Sequence, residues 1–89
     1  MQKKYELGVS SKFVKTILYR IKAIRDFGNV KAGDLGGWIE KEENLSHEGN
    51  CWISENARVY GNARVYDHAL VYGDTWVYGN ARVYGNARL

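Results

Sequence analysis

The chain carries few side chains that can do chemistry. His47 and His68 are its only imidazoles, the group that most often acts as a general base near neutral pH. A catalytic imidazole needs a partner to orient it, and no Asp or Glu is clearly spaced to orient either one. Each also has a structural reading. His68 falls in a turn column and reads as a substituted turn residue. His47 falls where an inward column begins and reads as a half-buried capping histidine with a backbone partner. Cys51 is the only cysteine, so no disulfide can form within the chain and no zinc-type spacing exists. Asp67 and Asp74 are isolated rather than stacked, which gives no cage of oxygen ligands. These residues assign no catalytic group, no metal and no cofactor, and the expectation is that the protein is not an enzyme.

The elements that would position such residues are set by a repeat of six. Asn56-Ala57-Arg58-Val59-Tyr60-Gly61 is followed by Asn62-Ala63-Arg64-Val65-Tyr66-Asp67, and the pattern runs to Leu89. So short a period excludes helix pairs and propeller blades and points to a β-solenoid. One column is small: Cys51, Ala57, Ala63, Ala69, Thr75, Ala81 and Ala87. Two residues on, the column is aliphatic: Ile53, Val59, Val65, Val71, Val77, Val83 and Leu89. Residues two apart on a strand share a face, so both columns point inward, and Cys51 reads as a core residue. Arg and Tyr point out. The recurring Gly-Asn pair tolerates positive φ and marks the corner. The frame extends back through Asn50 and Asn44 to Trp38–Ile39 if two extra residues loop out among Glu40, Lys41, Glu42 and Glu43. An antiparallel meander would fit the same spacing but leaves its Ala/Val face uncovered.

Residues 1–43 hold nine basic and six acidic side chains and residues 44–89 four of each, so the net charge of +3 favours solubility over a nucleic-acid surface. No stretch reads as a signal peptide or a membrane span; a cytoplasmic location is expected, with no membrane partner. Residues 1–38 read as an N-terminal hairpin and glycine-rich capping segment, and residues 39–89 as the repeat, the whole forming one compact domain. In the hairpin, Tyr5 to Val9 pairs with the strand around Ile17 to Ala23 through Ser10, Ser11 and Lys12.

From about Ile39 to Leu89 the pattern of an aliphatic residue and a small residue four positions later resembles the hexapeptide repeat of left-handed parallel β-helix proteins. The stretches from Arg25 to Ile39 and from Asn44 to Gly49 resemble the lead-in of an uncharacterised family of bacterial and prophage hexapeptide-repeat proteins, often labelled transferases by fold analogy. The resemblance implies an all-β fold: a short left-handed parallel β-helix of about three coils with an N-terminal β-hairpin cap. Three hexapeptides then make one coil, so residues eighteen apart stack: Ile53 over Val71 over Leu89, Tyr60 over Tyr78, Tyr66 over Tyr84, Arg64 over Arg82. It also implies a possible acyltransferase, with a catalytic His near a groove between subunits and coenzyme A along the coils.

The outward columns give a candidate protein-binding face of Arg58, Tyr60, Arg64, Tyr66, Tyr72, Trp76, Tyr78, Arg82 and Tyr84, since Arg and aromatic residues are enriched at interface hot spots. Trp52 and Trp76 share the outward column, so a cover is expected: the hairpin, a second subunit or a target. Leu89 ends the sequence in an inward position, and a homodimer through Tyr84, Ala87, Arg88 and Leu89 is expected. The favoured function is a non-catalytic interaction module of phage or prophage type that docks on a host protein or ribonucleoprotein complex, in the manner of an anti-CRISPR. An acyltransferase-like enzyme using His47 or His68 and a self-assembling structural solenoid are the alternatives.

Overall fold

The computed structural model describes residues 3–89. Three strands open the chain: β1 (Tyr5–Phe13), β2 (Thr16–Ala23) and β3 (Leu35–Ile39). A 3₁₀ turn at Glu42–Asn44 follows. Six two-residue strands complete it: β4 (Trp52–Ile53), β5 (Arg58–Val59), β6 (Arg64–Val65), β7 (Leu70–Val71), β8 (Trp76–Val77) and β9 (Arg82–Val83).

The repeats stack in parallel, as a solenoid and not as a meander. Trp52 pairs with Leu70, Arg58 with Trp76 and Arg64 with Arg82, each eighteen residues on. The three rows are the three faces of a β-helix. Ladder bonds run from coil to coil, as from Tyr60 N–H to Val77 O at 2.9 Å and from Tyr66 N–H to Val83 O at 3.0 Å. Corners recur at positive φ every six residues from Gly49 to Gly85. Two of them are not glycine. Glu55 (φ 59°) and Asp67 (φ 62°) hold the strained conformation, and each carboxylate accepts the N–H of the glycine one coil on, Gly73 at 3.2 Å and Gly85 at 3.1 Å. That bond offsets part of the left-handed cost, on the order of 1 kcal/mol.

The inward columns form the core through the first coils, whereas in the last coil Ala81 and Leu89, expected to point inward, are exposed because no further coil covers them among the described residues. Ile53, Ala57, Val59, Ala63, Val65, Ala69 and Val71 are buried, and so is Cys51. Full burial of an aliphatic side chain of this kind stabilises by roughly 1.5–3 kcal/mol.

The N-terminal segment is continuous with the solenoid. β1 and β2 pair antiparallel, β2 pairs antiparallel with β3, and β3 pairs parallel with β5. The hairpin thus extends the β5–β8 face into a five-stranded sheet. Gly36 and Gly37 make the junction, because a Cβ at Gly36 would lie 2.5 Å from Ile53 O and 2.6 Å from Ile21 Cγ1. Tyr5, Ile21, Ala23 and Phe27 join the core cluster with Ile39, Leu45 and Trp52, and so cap the first coil.

Two expectations about local register are corrected. The hairpin turn is not at Ser10–Lys12: β1 continues through them with a bulge after Leu7, and the chain reverses at Val14 (φ 55°) and Lys15. The two extra residues are not looped out at Glu40–Glu43 either. Ile39 pairs with Val59 and Leu45 with Val65, whereas Ile53 pairs with Val71. The insertion therefore lies between Leu45 and Ile53, in the corner around His47. Leu45, fully buried, takes the inward aliphatic position and not His47. The repeat columns treated Leu45 as the small residue; burial of its larger side chain decides the register.

Candidate functional site

The bulged corner makes the groove. Freed from the inward column, His47 lies against the first coil with its ring stacked on Tyr5 at 4.0 Å between centroids. Its Nδ1 accepts the backbone N–H of Lys4 at 3.1 Å. A backbone N–H can only donate, so Nδ1 carries the lone pair and Nε2 the proton. Nε2–H then donates to Glu42 Oε1 at 2.8 Å. No acid was expected to orient either histidine; the 3₁₀ turn supplies one, five residues before His47. The Glu42 carboxyl is held below the usual carboxylate range, first by the hydrogen bond from His47; burial is the next effect and opposes it, and Lys3, whose Nζ lies 3.5 Å away, adds a smaller lowering.

A groove of about 540 Å³ opens beside this pair, and its lining includes Glu42, His47, Glu48, Arg64, Tyr66 and Arg82. Leu45 and Val65 also line it. The lining thus combines two aliphatic side chains with three carboxylates, Glu42, Glu43 and Glu48, and two guanidinium groups.

Behind the groove lies a buried pair that the sequence did not reveal. Lys4 is 0% exposed. Its Nζ donates to Cys51 O at 2.7 Å, Gly49 O at 3.2 Å and Cys51 Sγ at 3.4 Å, and it lies 4.5 Å from the Phe27 ring centroid. Burial pushes the ammonium below its ordinary pKa, and Cys51 partly opposes this. Burial likewise pushes the Cys51 thiol up, with Lys4 opposing. A buried thiol held protonated is a poor nucleophile, so Cys51 belongs to the core, as its column implied. Tyr5 closes the layer: its hydroxyl donates to Leu45 O at 2.6 Å and lies 3.1 Å from Glu42 O. Its phenol is pushed well above the ordinary range by burial and by the nearby Glu42.

The structure divides the expected Arg/Tyr face among three faces. On the β5–β8 face, Arg58, Tyr60 and Trp76 gather around Phe13 from the hairpin tip. Phe13 lies edge-on to Tyr60 at 5.5 Å and to Trp76 at 5.0 Å, with the Arg58 guanidinium 4.7 Å from its ring centroid. Tyr78 stacks on Tyr60 at 5.4 Å. On the β6–β9 face, Arg64 and Arg82 stand in register and Tyr66 stacks on Tyr84 at 5.4 Å. Tyr72 lies on the third face, where its N–H donates to Leu89 O at 3.1 Å. Arg88 bridges to Leu70 on that row, and Ala87 packs against the core. Trp52 is covered by the N-terminal segment, edge-on to Phe27 at 5.2 Å. Trp76 remains 51% exposed. His68 is exposed at its corner, where its backbone N–H donates to Gly85 O, and nothing brings it to His47. Lys4, Glu42 and Phe13 were missed. The only available signal was the N-L-S-H-x-G stretch, where a histidine interrupts an otherwise aliphatic repeat.

Parallel rows eighteen residues apart, aligned small and aliphatic inward columns and a corner every sixth residue define the class: the repeat region is a hexapeptide-repeat β-helix. Its sequence matches the family model described as YdcK Beta solenoid repeat, at residues 52–65, 57–73, 63–79 and 77–89. The chain is also 52% identical over 46 residues to the Uncharacterized acetyltransferase YdcK of Escherichia coli (strain K12), a match covering 51% of this chain and 14% of that protein. The chain thus spans a small part of the length of this relative. The name of this relative overturns one expectation. The reading as a non-enzyme is corrected, because a protein this similar over half the chain is named an acetyltransferase. The lack of a recognisable triad misled that reading, since the acid beside His47 is visible only once the corner is folded. Among the described residues no helix is long and apolar enough to cross a membrane.

Proposed function

We propose that this chain is a β-solenoid module of acyltransferase type, with its reacting groups in the groove at the bulged corner. The observation that carries the reading is the 52% identity over 46 residues to a protein named an acetyltransferase. The groove geometry supports a specific division of roles. Acyl transfer to an amine or hydroxyl needs a group to take the acceptor's proton as the carbon–heteroatom bond forms. His47 is not that group with its present partners, because Nδ1 is occupied by Lys4 N–H and Nε2 already bears a proton. Glu42 is the proton acceptor in this reading, and His47 is a positioning residue that holds the carboxylate toward the groove. Arg64 and Arg82 supply positive charge in the same groove.

Calorimetry with acetyl-coenzyme A tests the reading. Binding that is retained in Glu42→Gln while acetyl transfer is lost supports it; no heat at millimolar ligand removes it. Inhibition of a host defence complex rests on the prophage-type resemblance alone, and the similarity to a protein named an acetyltransferase favours acyl transfer over it.

A further inference from the structure

Lys4 and Cys51 carry an amine and a thiol that the groove chemistry leaves unused. Both residues are 0% exposed, and they are 47 residues apart in sequence. A fully buried lysine is rare unless an acid pairs with it, and Lys4 forms no ion pair among the described residues. Its Nζ instead meets two backbone carbonyls and one sulfur, Cys51 Sγ at 3.4 Å. The Phe27 ring centroid lies 4.5 Å from the same nitrogen. The sulfur otherwise meets the backbone oxygens of Ser46 at 3.5 Å and of Glu48 and Val65 at 3.7 Å. Among the described residues Lys4 thus supplies the one side chain hydrogen-bonded to the thiol. Burial pushes the ammonium down and the thiol up, which favours a neutral amine beside a neutral thiol.

We infer that Lys4 and Cys51 form a redox switch, in which hydrogen peroxide joins Nζ to Sγ through a sulfur–nitrogen bond. The amine takes the thiol proton, and a sulfur lone pair attacks one oxygen of the peroxide. The oxygen–oxygen bond breaks, and the leaving hydroxide takes a proton back from Nζ to become water. The sulfur is oxidised to a sulfenic acid and the peroxide is reduced. The Nζ lone pair then attacks the sulfur. The sulfur–nitrogen bond forms, the sulfur–oxygen bond breaks, and the hydroxide leaves with a proton from nitrogen as a second water. Sulfenic acids condense with a backbone nitrogen by the same step; here a side-chain nitrogen is in contact instead. Peroxide is small, and local opening at the start of β1 admits it. The bridge fixes that segment to the bulged corner, where the Lys4 N–H also holds His47 Nδ1. Oxidation thus locks one wall of the groove, and thiol reductants release it. The switch stands beside the acyl-transfer reading and does not depend on it.

The test is mass-spectrometric mapping of the full chain after treatment with millimolar hydrogen peroxide and digestion with trypsin. The expected product is one species that joins the peptides of Lys4 and Cys51, lighter than their sum by about 2 Da. It should be uncut after Lys4 and should return to the separate peptides with dithiothreitol. In urea melts the unfolding constant of the bridged chain is expected to fall about hundredfold, because a cross-link restricts the unfolded chain. Lys4→Arg keeps donors for the two carbonyls but has no free amine, and should give sulfinic or sulfonic acid at Cys51 and no bridge. The wild-type map decides the matter whether or not this variant folds. Sulfinic or sulfonic acid at Cys51 of the wild type, with Lys4 still cleaved by trypsin, overturns the switch. So does a thiol that stays free through a day in millimolar peroxide. A loss of about 2 Da that persists in Lys4→Arg assigns the bond to a backbone nitrogen and overturns it as well. None of these readouts uses an acyl donor, so failure here and failure of acyl transfer are separate results.

Discussion

The Glu42 carboxylate meets the His47 ring at 2.8 Å across the bulged corner, and the far nitrogen of the same ring accepts the Lys4 backbone N–H. One imidazole thus ties the 3₁₀ turn to the start of the first strand. The sign of the pH effect follows from Glu42. Its folded pKa lies below its unfolded value, so its contribution to stability is present above the ordinary carboxylate range and is lost as pH falls through the folded value. Solvent at this half-exposed carboxylate reduces the size of the effect. His47→Ala removes the leading cause of the shift. Thermal unfolding from pH 7 to pH 3 should show a shallower acid loss in this variant than in the wild type; parallel curves would contradict the assignment.

Tyr5 gives the opposite dependence. Its folded pKa is raised, so its contribution is complete below the ordinary phenol pKa and is lost as pH rises toward the folded value. Tyr5→Phe deletes the hydroxyl that donates to Leu45 O at 2.6 Å and should cost about 1–2 kcal/mol at neutral pH. Denaturant melts at pH 7 and pH 11 check both points. The difference between Tyr5→Phe and the wild type should shrink at the higher pH.

Lys4→Ala should be more severe. It removes a side chain that fills the space under Phe27 and leaves the Gly49 and Cys51 carbonyls without their donor. A cost of about 2–4 kcal/mol is expected from the combined cavity and unmet acceptors. Urea unfolding followed by tryptophan fluorescence measures it, since Trp52 packs on Phe27.

These three residues show where sequence reasoning stops. The coils were legible because each column repeats one physical requirement: small, aliphatic, or tolerant of positive φ. Stacking of Arg64 on Arg82 and of Tyr66 on Tyr84 followed from the period together with the three-hexapeptide coil that the family resemblance implied. The candidate site was not legible, because it lies where the period fails. Leu45 and His47 are two apart and compete for one inward slot; only burial against Val65 and Tyr5 decides that Leu45 takes it. Lys4 sits in a segment with no repeat, and a lysine near a chain's start ordinarily reads as solvated. Phe13 meets Trp76 through the hairpin's placement over the sheet, a tertiary relation that no local pattern encodes.

Two glycines separate steric from conformational cost. Gly36 has Ile53 O and Ile21 Cγ1 where a Cβ would stand, so Gly36→Ala must move backbone and should cost roughly 3 kcal/mol or more. Gly73 (φ 67°) has open space around that position, so Gly73→Ala should cost only about 1 kcal/mol, the left-handed penalty. Chemical denaturation of the two variants side by side checks the order. Equal effects would mean that the junction between hairpin and coil yields more easily than its packing indicates.

Phe13 tests whether the hairpin tip holds the β5–β8 face. Its ring contacts Tyr60, Trp76 and the Arg58 guanidinium, yet Val14 and Lys15 beside it are exposed. Phe13→Ala removes an edge-on aromatic pair with Trp76 and one with Tyr60, each worth about 0.5–1.5 kcal/mol, together with an exposed cation–π contact of about 0.5–1 kcal/mol. Because the tip contributes little to the core, most of this loss should appear as local opening and not as global destabilisation. Amide exchange in Ser11–Ile17 should accelerate by tenfold or more, on the order expected for a loss of about 1.4 kcal/mol in local opening free energy, while the ladder amides of Tyr60 and Tyr66 stay protected. The Trp76 emission should shift to the red as its ring loses its cover, and Trp52, buried beneath Phe27 at the other end of the hairpin, should not respond. A uniform loss of protection through the coils would show instead that the tip is part of the global folding unit.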